Sequence, residues 1–385
     1  MINYGRQSIS QEDIDEVVEV LKSDFLTQGP VVQTFEDAVA NKVNSKYAVA
    51  TNSATSALHI SCLALGLTSN DYLWTSTITF VASANCALYC GANIDFVDID
   101  AKTFNISVLK LEKKLLSAKK DNKLPKIVVV VHMTGQSAEM DKIHQLSLKY
   151  GFKVIEDASH ALGGKYQGKY IGSCQFSDIT IFSFHPVKII TSAEGGMALT
   201  NSQEISKKLK VLRTHGITRD PNLMRNQNND FWRYEQIDLG FNYRMSDLHA
   251  ALGLSQLKRL NMFLEKRHYL ANRYNKLLAK LPVTIPHQNH ECYSSFHLYI
   301  ILLDIQKINK SQSQIFDSMR ARGIGVNLHY IPVHTQPFYK SLGFKDSQFP
   351  KSMEYSSRAM SLPIYYDLSD EQQDTVVKAL TEVIV

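Results

Sequence analysis

Lys188 and Asp157 are the two residues whose types and spacing could do chemistry together. Lys188 closes the run Ser183-Phe184-His185-Pro186-Val187-Lys188, directly after the strand-like Ile179-Thr180-Ile181-Phe182, and Ala193-Glu194-Gly195-Gly196 follows. An amine at the end of a buried strand, hemmed in by apolar and small residues, is disfavoured as an ammonium. Desolvation lowers a lysine pKa, and the neutral amine attacks carbonyls and aldehydes. Upstream, Lys153-Val154-Ile155-Glu156 delivers Asp157 into Ala158-Ser159-His160-Ala161. A carboxylate and an amine at the ends of two neighbouring strands are what pyridoxal phosphate requires. The amine condenses with its aldehyde, and the acid keeps its pyridine nitrogen protonated.

The phosphate of such a group needs donors. Ala54 and Thr55 open a helix pattern after Asn52-Ser53, so backbone N–H groups and the Thr55 hydroxyl can meet a dianion at a helix N-terminus. A second glycine-rich stretch, Gly163-Gly164-Lys165-Tyr166-Gln167-Gly168-Lys169-Tyr170, has phosphate-loop spacing only as far as its last lysine. Tyr170 stands where a small hydroxyl would face magnesium, and no helix pattern follows, so a hairpin is expected there. Cys86 and Cys90 share a helical face, but no second pair completes a metal site, and the five cysteines read as buried thiols.

The elements that must position these residues are legible as periodicity. Short apolar runs at 47–50, 72–75, 94–97, 127–131, 152–155, 180–184 and 197–200 alternate with helical patterns at 56–65, 81–90 and 140–150. This alternation predicts a mainly parallel α/β sheet with helices on both faces, whose ligands bind at the carboxyl ends of strands. Ser10 with Asp13 marks the start of a helix running to residue 22. From Asp247 to about Leu281 runs a long helical stretch, with Leu248, Leu252, Leu257, Leu260, Leu264 and Leu270 on its apolar side and Pro282 as its stop. A smaller α+β unit follows, with strands at 296–303 and 325–329, a helix at 312–320 and a final helix from Asp370. The polar stretch Arg219–Tyr234, ending in Phe231 and Trp232, reads as a long loop.

Composition is that of an ordinary globular chain large enough for two or three domains: 385 residues, 44% hydrophobic, net charge +5. Its 42 basic and 37 acidic residues are interspersed, and the cluster at Lys113, Lys114, Lys119 and Lys120 reads as a solvated helix and loop rather than a nucleic-acid patch. The N-terminal residues lack an apolar signal region, and no apolar run is long enough to span a membrane, so a soluble cytoplasmic protein is expected.

Five blocks resemble the DegT/DnrJ/StrS-type sugar aminotransferases in type and order. They are Asn52–Leu58, Thr79–Asn85, Asp157–Ala161, Ser183–Lys188 and Gly240-Phe241-Asn242-Tyr243-Arg244-Met245-Ser246-Asp247. The resemblance covers almost the whole chain. It implies a pyridoxal-phosphate enzyme of the aspartate-aminotransferase fold (fold type I), with a large cofactor-binding domain over residues 1–246. Residues 247–385 would be the connecting helix and small C-terminal domain. It implies that Lys188 and Asp157 are catalytic, with His160 close to that acid or the ring. Phe80 would stack on the pyridine, and Ser183 would be a second phosphate hydroxyl. Asn242 would reach the phosphate of the other subunit of a homodimer. Gln28, His329 and Tyr330 would border the sugar, and Arg244 is a candidate for the donor carboxylate.

Arg213–Arg219, Tyr234–Gly240 and Leu328–Tyr339 further resemble members that aminate C4 of a UDP-linked 2-acetamido-4-keto-6-deoxy sugar from L-glutamate, towards pseudaminic acid. The alternatives are amination of another dTDP- or UDP-linked keto-sugar at C3 or C4, or a non-transaminating relative that binds the same cofactor. Such relatives carry His at the lysine position, and Lys188 argues against that. A dead binding protein of the same fold would be expected to have lost Lys188 or Asp157. The chain departs from the family pattern at Ile189, where Pro commonly follows the lysine, and at Ser192, where Thr is usual.

Overall fold

The computed structural model describes residues 1–224, 230 and 232–385. Its centre is a seven-stranded sheet built from β1 (Tyr47–Thr51), β2 (Tyr72–Ser76), β3 (Asn93–Val97), β4 (Ile127–Val131), β5 (Lys153–Asp157), β6 (Ile179–Ser183) and β7 (Gly196–Thr200). The spatial order is β1-β7-β6-β5-β4-β2-β3, and only β7 runs against its neighbours. β4 is Ile-Val-Val-Val-Val and buried at every residue, the pattern of a strand covered on both faces.

Strand alternation sorts the two apolar layers. Val129, Ile155 and Ile181 face the helices Ala54–Ala64 and Ala82–Tyr89, while Val128, Val130 and Val154 face Val108–Lys120 and Met140–Tyr150. Asp157 therefore leaves β5 on the side of Ile155. Glu156 leaves on the opposite side, where it meets buried His132 at 2.7 Å and the hydroxyl of Thr180 at 3.1 Å.

The C-terminal unit has its own antiparallel sheet of Val283–Thr284, Tyr299–Leu303 and Ala359–Leu362, backed by the helices Gln312–Ala321 and Asp370–Ile384. Its apolar cluster runs from Leu270 to Ile384 and includes Ile2 at its edge. Val333, Tyr339 and Phe349 instead pack with Phe96 of β3. Asp98 fixes that contact by accepting from Ser352 N at 2.9 Å and Lys351 N at 3.0 Å. Among the described residues, no helix is long and apolar enough to cross a membrane.

Several local readings hold in detail. The first helix is Gln11–Lys22, closed by a reciprocal capping box between Ser10 and Asp13. Gly163–Tyr170 contains a hairpin of Lys165–Tyr166 against Lys169–Tyr170, turning through Gln167 and Gly168, both with positive φ.

Three readings are corrected. The long helix is two helices, Asp247–Lys258 and Leu260–Leu277, broken at Arg259. Arg259 N–H turns back to Gln256 O at 3.0 Å, and its guanidinium is drawn to Asp13 and Ser8 O. The second helix ends before Pro282 is reached. In the first, the buried face is Ala250, Ala251, Gly253, Ser255 and Gln256, with Leu248 and Leu252 only half-buried. Finally, 325–329 forms no strand: Gly325 N–H is taken by Ile2 O, and Leu328 N–H by the side chain of Asn327. Of the loop expected over Arg219–Tyr234, residues 225–229 and Phe231 lie outside the described residues, and Trp232 is 63% exposed.

Candidate active site

The carboxyl edge of the sheet opens into a cleft of about 470 Å³. β5 ends on Asp157, β6 on Ser183, and β1 leads through Ser53 into the helix Ala54–Ala64. Because β7 runs the other way, its first residues reach the same edge, and Gly195 joins the lining. Gly196 has no room for a side chain: a Cβ there would lie 2.4 Å from Ala54 N and Ser53 C. Residues 327–330 of the C-terminal unit close the opposite wall.

Asp157 is 6% exposed and held by three donors. Ser83 Oγ reaches one carboxylate oxygen at 2.6 Å, and Ser159 reaches the other through Oγ at 2.6 Å and N–H at 3.1 Å. Hydrogen bonds to a charged group contribute about 1.5–3 kcal/mol each, so the carboxylate is firmly oriented. Lys188 follows a turn in which its N–H meets His185 O at 2.9 Å. Burial pulls its amine down to about 8, opposed by the charge of Asp157.

Ser53 caps the helix Ala54–Ala64 by accepting from Ser56 N–H at 3.1 Å, leaving Ala54 and Thr55 as first-turn donors at the cleft. Ser183 lines the same end. Phe80 is 58% exposed at the cleft mouth, its ring 6.0 Å from that of Tyr330.

Histidines make up the far wall. His160 Nε2 and Tyr330 Oη are 2.9 Å apart, and burial raises the phenol, which stays protonated. With Tyr330 as donor, the ring proton of His160 lies on Nδ1, the buried atom without a protein partner. Burial, then the charges of Lys188 and His329, hold His160 well below the usual imidazole range. His329 is pushed down to about 3 by burial and Lys188, and its Nδ1 meets Ser361 Oγ at 2.7 Å. Both rings are neutral near pH 7.

The structure thus brings together Lys188, Asp157, His160, Ala54, Thr55, Phe80, Ser183, His329 and Tyr330. It does not bring Gln28, Arg244 or Asn242 to this cleft. Gln28 and Arg244 share a separate shallow depression with Arg213 and Glu36, and Asn242 is exposed, bridged to Thr214. Sequence reasoning missed Tyr4, Ser83 and His297. Ser83 lay within the Thr79–Asn85 block, but its aim at Asp157 depends on the packing of a helix over β5. Tyr4 packs on His329, with ring centres 4.9 Å apart, and nothing local in the sequence marks it. The ring of His297 packs at a 44° tilt against that of His160, with centres 4.4 Å apart.

An amine beside a carboxylate, a helix N-terminus at the same cleft and a wall of aromatic and histidine rings define a pyridoxal-phosphate enzyme of fold type I. The chain belongs to the DegT/DnrJ/EryC1/StrS aminotransferase family, whose model matches residues 7–381. It is a sugar aminotransferase, and its cofactor is pyridoxal phosphate.

Among its relatives is the Campylobacter jejuni UDP-4-amino-4,6-dideoxy-N-acetyl-beta-L-altrosamine transaminase (serotype O:23/36), 40% identical over 371 residues, covering 96% of this chain and 94% of that one. The Bacillus subtilis spore coat polysaccharide biosynthesis protein SpsC is 38% identical over 384 residues, covering 99% and 96%. The solved structure of Helicobacter pylori PseC, an aminotransferase involved in the biosynthesis of pseudoaminic acid, superposes with a TM-score of 0.91 at 32% identity. It covers 100% of this chain and 99% of that one.

The residues present fit the cofactor. The cleft offers a carboxylate for a ring nitrogen, an amine for an aldehyde, helix N–H groups and hydroxyls for a phosphate, and two buried ring nitrogens without a partner among the described residues, Nδ1 of His160 and of His297.

Proposed function

We propose that the enzyme transfers an amino group from L-glutamate to C4 of a UDP-linked 2-acetamido-4-keto-6-deoxy sugar, towards pseudaminic acid, as a cytoplasmic homodimer. The observation that carries the reading is the 40% identity along 371 residues to the C. jejuni transaminase of that sugar series. The fit to H. pylori PseC supports it.

In this proposal Lys188 would hold the cofactor through its amine and would serve as the base that carries the proton. When bound, pyridoxal phosphate supplies an aldehyde carbon and a ring that accepts the negative charge left by proton removal. Asp157 pairs with the ring nitrogen and is kept in line by Ser83 and Ser159. Ala54, Thr55 and Ser183 would hold the phosphate, Phe80 would pack against the ring, and His160 is itself oriented by Tyr330. The neutral side chains of His329 and Tyr330 border the sugar. Asn242, Gln28 and Arg244 act across the twofold, completing the partner's cleft. The exposure of Gln28 and Asn242 in one chain, with Arg244, Leu248 and Leu252 half-buried, supports that arrangement.

A second reading, amination of a different nucleotide-linked keto-sugar, is favoured by the comparable 38% identity to SpsC. The test is incubation with L-glutamate and a panel of UDP- and dTDP-linked 4-keto-6-deoxy sugars, with products identified by mass and NMR. The L-arabino UDP-linked epimer should exceed its D-xylo counterpart by about tenfold in kcat/KM, the value of one unpaired buried polar contact. Equal rates, or a C3-aminated dTDP-sugar, would replace this substrate and leave the Lys188 chemistry standing.

A further inference from the structure

Asp247 is fully buried, and its carboxylate is bonded to backbone N–H groups 215–218 residues earlier in the chain. Oδ1 accepts from Val31 at 2.9 Å and from Val32 at 3.3 Å, and Oδ2 accepts from Gly29 at 2.8 Å. The first two bonds cap the helix Pro30–Val43, whose own N-cap residue, Gly29, has no side chain to do so. The bond to Gly29 is different in kind. Its N–H precedes the helix and belongs to the peptide that joins Gln28 to Gly29, so a helix cap does not require it.

Gln28 is thereby clamped from both sides. Before it, Thr27 bridges Ser246, and Asp247 N–H donates to Leu26 O at 3.0 Å. After it, Gly29 sits so close to the carboxylate that a Cβ there would lie 3.0 Å from Asp247 Oδ1 and 2.5 Å from Phe25 Cβ. Between these ties Gln28 has a φ of 58°, a left-handed conformation that a residue with a side chain keeps only where its surroundings impose it. Gln28 is nonetheless exposed, next to Phe25 and Leu26, which are 54% and 48% exposed. A polar side chain on a fixed backbone, beside uncovered apolar residues, suits a surface that a second copy of the chain completes.

We propose that Asp247 is a positioning residue: it fixes the backbone of Gln28 so that the Gln28 amide meets the sugar in the partner's cleft. The inference rests on the reading above that Gln28 acts across the twofold. Asn is the informative replacement for Asp247. It keeps one acceptor oxygen but turns an NH₂ group towards N–H donors on the other side, so one set of these bonds is lost at nearly constant volume.

The test uses the holoenzyme and whichever keto-sugar of the panel above it aminates fastest. Asp247→Asn and Gln28→Ala should each raise KM for that sugar about tenfold, with kcat and cofactor affinity within about twofold of wild type. Where Asp247→Asn does not fold, Asp247→Ser, which keeps one hydroxyl acceptor, takes its place. Each variant is then mixed with excess Lys188→Ala, with subunit exchange followed by mass. In the mixed dimer the only Lys188 lies in the variant subunit, while native Gln28 and Asp247 come from its partner. KM for the sugar should return to the wild-type value, whereas a purely structural role would leave it raised in the variant's own cleft. Restoration for Gln28→Ala but not for the Asp247 variant overturns the proposal and leaves the shared cleft standing. Restoration for neither removes the shared cleft and the proposal with it. Unchanged KM in either single variant also overturns it.

Discussion

The amine of Lys188 is pulled two ways, and the balance is measurable. Burial lowers it, the carboxylate of Asp157 raises it, and the result is about 8. Near pH 7 about a tenth of such an amine is free, against less than about a thousandth for an ordinary lysine. Apo-protein should therefore react with pyridoxal at a rate that rises with pH about a midpoint near 8. Asp157→Asn removes the opposing charge and should move that midpoint down, while cutting transamination by roughly 10²–10⁴. A wild-type midpoint near that of free lysine, or an upward move in Asp157→Asn, would contradict the electrostatic account. Ser83 belongs to the same scale, since its hydroxyl bonds to Asp157 Oδ2 and the hydroxyl of Thr79. Ser83→Ala should lower kcat about tenfold with little change in KM for the sugar, because one charge-assisted bond is lost and the sugar wall is untouched. Unchanged kcat together with unchanged cofactor affinity would reduce Ser83 to packing.

At the scale of elements, the direction of β7 matters most. Running against its neighbours, it brings Gly195 and Gly196 to the edge where the parallel strands end, so a glycine strand start abuts a helix start. Gly196→Ala forces its Cβ into the backbone of Ser53 and Ala54. A loss of about 1–3 kcal/mol in stability is expected, with weaker cofactor retention, read by urea midpoint and cofactor titration. Stability loss without any change in cofactor retention would show that the helix start is not a phosphate seat.

Much of this layer was legible in advance. All seven strands lie where period and β-branched runs put them, because a sheet covered on both faces writes itself as unbroken apolar stretches. Lys188 and Asp157 were legible for the same reason, as polar residues at the ends of such stretches. What escaped was set by side chains far away in sequence. Arg259 breaks a helix that periodicity runs straight through because Asp13 attracts it. Leu248 and Leu252 suggest a core face, but Gly253 is the residue pressed against Phe35. Ser83, His297 and Tyr4 reach the cleft through packing that no local pattern encodes.

For the whole molecule, the separation of Gln28, Arg244 and Asn242 from the cleft of their own chain is the feature to explain. If they serve the partner's cleft, Lys188→Ala and Asn242→Asp, each inactive as a homodimer, should complement when mixed and allowed to exchange subunits. One site of the mixed dimer then keeps both native residues, while the other carries both changes. Activity approaching a quarter of wild type is the ceiling for random mixing of equal amounts, roughly half the dimers carrying one good site of two. No recovery with exchange demonstrated by mass, or a monomer in sedimentation at micromolar concentration, would end the idea.

The cleft gathers Tyr4 from one end of the chain, Asp157 and Lys188 from its middle, and Tyr330 from near the other. Ile2 is likewise stitched to Gly323 and Gly325 by backbone hydrogen bonds. During synthesis the sheet strands through β7 leave the ribosome long before the wall at 327–330 exists. Capture of the cofactor in its finished pocket must therefore wait until residues 327–330 have been made. Until then the Lys188 amine lacks part of the burial that lowers its protonation, so its nucleophilicity is itself a late product of folding.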